Sequence, residues 1–417
     1  MQHIFLVGAK SLGTYGGYET FVYKLTEYHQ NLSDVKYHVA CKANGDGCVD
    51  ESKLPGVREI SDTEFECHRA HCFKIHVPQI GPAQAIYYDV AALEACCRYI
   101  KKHQIEHPIV YIMACRIGPF MHHFYKKIHK LGGEVYLNPD GHEWLRQKWA
   151  PPIRKYWKLS ERLMVRYADL VVCDSVHIED YILKEYGAYH PKTTYISYGA
   201  EIKSSPLSDQ DSSYTGFLEK HGLSAENYYL VVCRLVPENN FETIIREFMQ
   251  SRTEKKLALI TNSNGKFFRY LKETLQFEKD PRIVFTGAVY QPNLLQKLRE
   301  HAYAYLHGHE VGGTNPSLLE GLGATKLNLL LDVSFNREVG QDAAFYWTKE
   351  PGSLAACIEQ AETLSEEART EMGRRAKERI RTAYSWPQIA RQYEMIWQNR
   401  ETERGEAHGE KVFDCCG

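Results

Sequence analysis

At 417 residues the chain is too long for one ordinary hydrophobic core, so two or three domains are expected. Its 43% hydrophobic and 25% charged residues are those of a soluble globular protein, and a net charge of −2 excludes a global electrostatic case for nucleic acid. No apolar run reaches the roughly 18 to 20 residues that cross a bilayer. The twelve cysteines are scattered, and the chain opens on a strand-like run, Ile4-Phe5-Leu6-Val7, with no secretory signal before it. They read as reduced cytosolic thiols in small core positions. Cys67 and Cys72 with His68 and His71 imitate part of a zinc site, but no second ligand pair follows at matching spacing.

The first half alternates strand and helix periodicity. Strands are predicted at Ile4–Val7, Tyr37–Cys41, Phe73–Val77, Ile109–Met113, Glu134–Leu137 and Leu170–Cys173, and helices at Glu19–His29 and Tyr88–Lys102. This is the α/β signature of a parallel sheet covered on both faces. The polar stretch Ile202–Ser213 interrupts it. The pattern restarts with strands at Tyr228–Cys233, Leu257–Thr261, Ile283–Thr286, around Tyr303 and at Leu327–Leu331. Helices are predicted at Asn240–Ser251, Phe267–Leu275, Leu294–Glu300 and from Pro316. Two amphipathic helices close the chain, Glu366–Arg381 and Trp386–Trp397. The expected division is a Rossmann-like domain over 1–203, a linker over 204–226, a second Rossmann-like domain over 227–385, a helix over 386–400 returning to the first, and a disordered tail over 401–417. Two doubly wound domains facing across a cleft place ligands at the carboxyl ends of their strands.

The most informative string is His307-Gly308-His309-Glu310-Val311-Gly312-Gly313-Thr314-Asn315-Pro316-Ser317-Leu318-Leu319-Glu320. A strand, a glycine-rich turn and a helix N-terminus present free backbone N–H groups to a phosphate. Glu320, one to two turns into that helix, could accept from sugar hydroxyls. The plain alternative is a tight turn feeding a helix. A second loop of this kind, Gly13-Thr14-Tyr15-Gly16-Gly17, follows the first strand, with packing alone as its alternative. Its glycine spacing is not the dinucleotide fingerprint, which argues against a nicotinamide cofactor. Arg234, at the end of the first strand of the second half, suits a diphosphate, since a guanidinium forks two oxygens and stays charged. Asp140-Gly141-His142-Glu143 follows the strand at Glu134, so Asp140 and His142 are candidates to orient an acceptor hydroxyl or take its proton.

These strings, with Arg234-Leu235-Val236-Pro237-Glu238-Asn239-Asn240 between them, resemble the retaining glycosyltransferases of family 4, which have the two-domain GT-B fold. The resemblance runs to about Arg400. Gly13–Tyr23, Asp140–Trp144 with Arg146, Lys148 and Trp149, and His307–Glu320 look like the bacterial rhamnosyltransferase branch, which builds capsule, exopolysaccharide and cell-wall rhamnan. That resemblance implies transfer of L-rhamnose from dTDP-β-L-rhamnose to a polyprenyl-diphosphate-linked sugar, glucose being the expected one, without a metal or other cofactor. It implies that Gly312, Gly313, Thr314, Asn315 and Arg234 hold the diphosphate, that Glu320 takes a ribose-type hydroxyl, and that Gly16 and Gly17 close over the phosphates. Two positions depart from the family pattern. Gly312 stands where a first glutamate is common, leaving Glu310 as a substitute contact to the sugar. Asn239 stands near the usual lysine, leaving Lys266 to assist Arg234.

Arg146, Lys148, Arg154, Lys155, Lys158, Arg162 and Arg166 interleave with Trp149, Tyr156 and Trp157, and Lys126, Lys127 and Lys130 extend the cluster. Such a patch suits an anionic membrane surface, with a solvated salt-bridged helix as the alternative. Nucleic acid is not expected, because no reader motif accompanies it. The expected location is the cytoplasm, at the inner face of the plasma membrane. Asp209-Gln210-Asp211 imitates a metal-binding motif but lies in the polar break, and Cys415-Cys416 is a candidate for acylation without a supporting motif. A UDP-hexose donor, a non-catalytic scaffold of the same fold in polysaccharide assembly, and a nucleotide-sugar epimerase are the competing readings.

Overall fold

The computed structural model describes residues 1–13 and 16–398, so the expected tail over 401–417 and the Cys415-Cys416 pair lie outside the described residues. Nine strands make the first sheet: β1 (Gln2–Val7), β2 (Val35–Lys42), β3 (Arg58–Ser61), β4 (Glu64–Cys67), β5 (Ala70–Ile75), β6 (Ile109–Met113), β7 (Glu134–Asn138), β8 (Leu170–Cys173) and β9 (Thr193–Tyr195). Their order is β3-β4-β5-β2-β1-β6-β7-β8-β9. Six more make the second: β10 (Tyr228–Val232), β11 (Lys256–Ile260), β12 (Ile283–Phe285), β13 (Ala304–His307), β14 (Asn328–Leu331) and β15 (Phe345–Trp347), in the order β12-β11-β10-β13-β14-β15. Every pairing in the second sheet is parallel, as is every pairing from β5 to β9 in the first. The architecture is therefore two doubly wound parallel sheets.

The unbroken apolar strands follow from burial on both faces. In β1, Ile4 and Leu6 enter one core cluster while Phe5 and Val7 enter another. The first cluster takes Phe21, Val22 and Leu25 from the helix Gly17–His29 and Ile389, Tyr393 and Trp397 from the helix Trp386–Trp397. The C-terminal helix thus returns to the first sheet. The same cluster continues into Leu318, Leu319 and Leu322 of the helix Pro316–Ala324, so apolar packing spans both lobes. Where the chain crosses between lobes, Ala200 bridges Ser385, and a Cβ on Gly199 would lie 2.5 Å from the Trp386 ring.

Each sheet reverses its winding once, between β1 and β6 in the first and between β10 and β13 in the second. Loops after these strands diverge and leave a crevice, the usual ligand position of an open parallel sheet. The glycine loop after β1 and the Arg234 and glycine-rich loops of the second lobe flank these two points.

Differences from the sequence reading have local causes. The antiparallel ribbon β3–β4 pairs with β5 at a sheet edge, and β3 is exposed throughout, so it carries no apolar alternation to detect. That ribbon draws β5 to Ala70–Ile75 in place of Phe73–Val77. The stretch 204–226 carries a helix, Ser212–His221, whose Tyr214 is buried in the core on one face of the second sheet. Its acidic residues serve structure: Asp211 accepts from Ser213 N (2.9 Å) at the helix start, and Asp209 pairs with Lys297 (2.6 Å). Cys67 and Cys72 are buried in the core, and no three His, Cys, Asp or Glu side chains converge on a metal position among the described residues. Among the described residues no helix is long and apolar enough to cross a membrane.

Trp397 ties the returning helix down. It is fully buried, donates from Nε1 to Tyr37 Oη (2.7 Å), and packs on Tyr111 with ring centroids 5.6 Å apart. Trp397→Ala should cost about 3–5 kcal/mol, read as a lower urea midpoint. A loss below 1 kcal/mol would mean that the helix is not an integral part of the first core.

Candidate functional site

The second lobe contributes three strand-end loops. After β10 the Arg234 side chain is exposed and makes no hydrogen bond or ion pair among the described residues, while its carbonyl accepts from Asn239 Nδ2 (2.8 Å). Asn240 Nδ2 donates to Gly308 O (2.9 Å) and to Glu310 Oε2 (3.1 Å). Asn239, near the position where the family resemblance leads one to expect a lysine, thus closes its own loop onto Arg234, and Asn240 ties that loop to the one after β13. After β11, Lys266 is exposed in the first turn of the helix Gly265–Leu275. After β13 the chain turns through Gly312, whose φ of 134° is open only to glycine. Asn315 then caps the helix Pro316–Ala324, accepting from Ser317 N at 3.0 Å.

Glu310 and Glu320 are less free than the sequence suggests. Glu310 accepts from Lys349 Nζ (2.7 Å) as well as Asn240, and its own N–H donates to Glu238 O (3.1 Å). With Lys349, Leu145, Val311, Asp332, Val333 and Thr348 it borders a cleft of about 390 Å³ at the ends of β14 and β15. Glu320 is 45% exposed, and Oε2 accepts from Arg299 Nη2 at 2.5 Å, which leaves its second oxygen without a hydrogen-bond partner among the described residues.

The first lobe faces these loops. Gly17 opens the helix Gly17–His29, and a Cβ on Gly16 would lie 2.0 Å from Glu19 Oε2, so the Glu19 carboxylate folds back over that glycine. After β7, Asp140 and His142 both hold left-handed backbone, at φ 59° and 50°. Asp140 Oδ1 accepts from Gly141 N (2.9 Å). The His142 ring packs on Tyr181 with centroids 4.2 Å apart, and burial followed by Lys158 lowers its pKa. His142 is therefore seated inside the first lobe, while the Asp140 charge acts on both Asp174 and Arg146 at the seam.

The lobes touch through backbone and through short polar side chains. A Cβ on Gly141 would lie 2.4 Å from Gly312 Cα, and one on Gly313 would lie 1.9 Å from Asp174 Oδ1. Thr314 Oγ1 donates to Asp174 O (2.7 Å), and Val176 N donates to Glu338 Oε1 (3.2 Å). Gly141 and Gly313 are thus required by the close approach of the lobes, whatever ligand they also serve. Four predicted residues, Gly312, Gly313, Thr314 and Asp140, lie at this seam. Arg234 and Glu310 border it from the second lobe.

Buried polar atoms without a hydrogen-bond partner gather along the same line: Asp174 Oδ1, Glu238 Oε2, His307 Nε2, His309 Nδ1 and Glu338 Oε2. Such atoms are rare in folded proteins and mark places where another polar group belongs. The rings of His307 and His309 stack at 4.3 Å. Burial pushes the His307 pKa down to about 3; burial, then His307, Arg234 and Arg146, hold His309 well below the usual imidazole range. Burial, then Asp140 and Glu338, raise the Asp174 carboxyl well above its ordinary value. Asp174, Glu338 and His309 are absent from the sequence-based candidates. Asp174 was in reach, since it directly follows the strand Leu170–Cys173, the rule that selected Arg234. Arg116, at the first sheet's switch point, was also missed; it donates to Gly8 O (3.0 Å) and pairs with the buried Asp89 (3.1 Å).

The basic stretch divides in two. Arg146 and Lys148 pair with Glu143, Arg154 Nε donates to Trp144 O (2.8 Å), and Lys158 pairs with Glu185 (2.9 Å). Lys155, Arg162 and Arg166 stay exposed on the helix Pro151–Arg166, beside the exposed Ile153 and Leu159.

This arrangement has known relatives in structure. Sucrose-phosphate synthase from Thermosynechococcus elongatus superposes with a TM-score of 0.72 at 16% identity, over 96% of this chain and 99% of that one. A glycosyltransferase from Rickettsia africae gives 0.70 at 12% identity, over 95% and 98%. Anabaena HepE, solved with UDP, gives 0.67 at 15% identity, over 96% and 100%. These likenesses establish the GT-B fold, two Rossmann-like domains across a cleft. Residues 1–201 match the family model described as a domain of unknown function, DUF1972. No curated protein matches the sequence.

The raised Asp174 pKa has a definite sign. Above its unfolded value near 3.8 the folded chain keeps a proton that the unfolded chain has lost, so stability falls as pH rises through that window. Asp174→Asn should therefore stabilise the protein at pH 8, on the order of 1–3 kcal/mol, with the gain shrinking toward pH 4. Denaturant titrations at several pH values measure it. A variant less stable than the parent at pH 8 would show that the ionised carboxyl is favoured in the seam.

Proposed function

We propose that the chain is a retaining glycosyltransferase that moves L-rhamnose from dTDP-β-L-rhamnose to a polyprenyl-diphosphate-linked sugar, glucose being the expected acceptor sugar, in bacterial surface polysaccharide synthesis. The observation that carries glycosyl transfer is the line of unpartnered buried polar atoms between two facing sets of strand ends, with the Arg234 guanidinium free beside it. The GT-B fold and the Anabaena HepE structure with UDP support a nucleotide-sugar donor. The rhamnose donor and the lipid-linked acceptor rest on the sequence resemblance of Gly13–Tyr23, Asp140–Trp149 and His307–Glu320.

In this reading the diphosphate lies on the amides of Gly312 to Asn315 at the start of the helix Pro316–Ala324, with Arg234 opposing its charge. Lys266 adds charge from the next loop, and the second oxygen of Glu320 accepts from the nucleotide ribose. Gly16 and Gly17 cover the phosphates from the first lobe. Asp140 accepts a hydrogen bond from the acceptor hydroxyl. The bond between the anomeric carbon and the phosphate oxygen breaks, the acceptor oxygen bonds to that carbon from the same face, and its proton passes to the departing phosphate. Stabilising negative charge on the leaving group is the main catalytic term. Arg234 and the helix dipole carry that charge in a scheme without a metal. Seam contacts that exclude water would protect the donor from hydrolysis.

A UDP-hexose donor is the competing reading, favoured by the Anabaena HepE structure in complex with UDP-glucose. A donor panel of dTDP-rhamnose, UDP-glucose and UDP-galactose against lipid-linked glucose, read by product mass, separates them. Turnover with a UDP-sugar alone would reject the rhamnose assignment. Arg234→Ala should lower kcat/KM roughly 100- to 1,000-fold. Loss of less than fivefold would leave the guanidinium without a catalytic part.

Contact with an anionic inner membrane face is proposed through Lys155, Arg162, Arg166, Ile153 and Leu159. Co-sedimentation with phosphatidylglycerol vesicles should exceed that with phosphatidylcholine vesicles and fall several-fold in Lys155→Glu/Arg162→Glu. Equal sedimentation with both lipids would discount the patch.

A further inference from the structure

The first lobe sends one guanidinium toward the second. Arg146 follows the short turn Glu143–Leu145, is 14% exposed, and pairs with Glu143 of its own lobe. Its Nη1 lies 3.9 Å from Glu238 Oε1 in the second lobe, too far for a direct hydrogen bond. Glu238 is 2% exposed, and its Oε2 has no hydrogen-bond partner. The Glu238 carbonyl accepts from Glu310 N (3.1 Å), which fixes this carboxylate to the start of the glycine-rich loop. His309 lies within the electrostatic reach of both Arg146 and Arg234 and stays neutral.

We infer that Arg146 is a second ligand of the donor diphosphate, delivered by the first lobe and in place only when the lobes are closed. The inference rests on reading the cleft as a nucleotide-sugar site. Arg116 is committed to Asp89 and Gly8 O, Lys148 to Glu143 and Lys349 to Glu310, whereas Arg146 meets Glu143 through Nε and makes no hydrogen bond through its Nη atoms among the described residues. Arg234 and Arg146 come from opposite lobes and both act electrostatically on His309, so a diphosphate between them would be held from two sides. The long contact to Glu238 leaves Arg146 N–H groups able to turn to phosphate oxygens, and Glu143 keeps the fork aimed downward. Forked contacts of this kind are strong where water is scarce. Phosphate binding and lobe closure would then be one event, because opening removes the first lobe's share of the positive charge.

Calorimetric titration of the full chain with UDP and dTDP, and with UMP and dTMP, tests the assignment. Arg146→Ala should weaken diphosphate binding about 10- to 100-fold while changing monophosphate binding less than threefold. Arg146→Lys should fall between, because it keeps charge without the fork. Glu238→Gln should bind the diphosphates within threefold of the parent or more tightly, since it removes the competing counter-charge. Thermal melting of each variant identifies any that fail to fold. Equal losses for mono- and diphosphates in folded Arg146→Ala, or none for either, would overturn the inference and reduce Arg146 to a seam residue. A parent protein that binds no nucleoside diphosphate would instead reject the nucleotide-sugar reading itself, and Arg146's part with it.

Discussion

The structure depends on one constraint: the two lobes approach so closely at Gly141, Gly312 and Gly313 that no Cβ fits at Gly141 or Gly313. Gly141 lies on Gly312 and Gly313, and Gly313 lies on the Asp174 carboxylate. Methyl groups at Gly141 and Gly313 would clash with the opposite lobe and force the strand ends apart. With the glycines, Thr314 can reach the Asp174 carbonyl, and Arg146 can approach Glu238. The seam is therefore built from main chain and short polar side chains. Longer apolar contacts are left to the crossing at Gly199, Ala200 and Trp386.

That closeness explains the electrostatics. Asp174, Glu238, Glu338 and His309 sit at strand or helix ends that would be wet in either lobe alone. Facing each other, they lose water and gain few partners. Desolvation comes first in raising the Asp174 and Glu338 carboxyls and in lowering the His309 imidazole, and like-charged neighbours add to it at Asp174 and His309. A low-dielectric strip with unmet polar groups is costly for an empty protein. It suits a site where a charged ligand must be held and its leaving group stabilised.

Several side chains that look functional in the sequence turn out to be shared with structure. Asn315 caps a helix, Asn240 stitches two loops, Glu310 is paired with Lys349, and His142 packs on Tyr181. Such residues shape the loops that carry the free groups. Arg146 moves the other way: the sequence places it with a run of surface cations, and the fold turns it into the cleft. No reading of spacing alone separates Arg146 from Lys155, because the distinction is which neighbour from the other lobe each one meets.

The sequence by itself determined the two sheets, their parallel winding and the strand-end loops, because apolar runs buried on both faces and glycines at turns are local signals. It also pointed to Arg234 and to Gly312 through Asn315, whose positions follow from the strand each one ends. It did not reveal the exposed ribbon β3–β4 or the helix Ser212–His221, whose stabilising contacts lie with distant partners. Only the tertiary structure decided that Asp174, Glu338, Glu238 and His309 share one seam with Arg146. Their proximity arises from the docking of two lobes far apart in the chain, and no sequence interval records that distance.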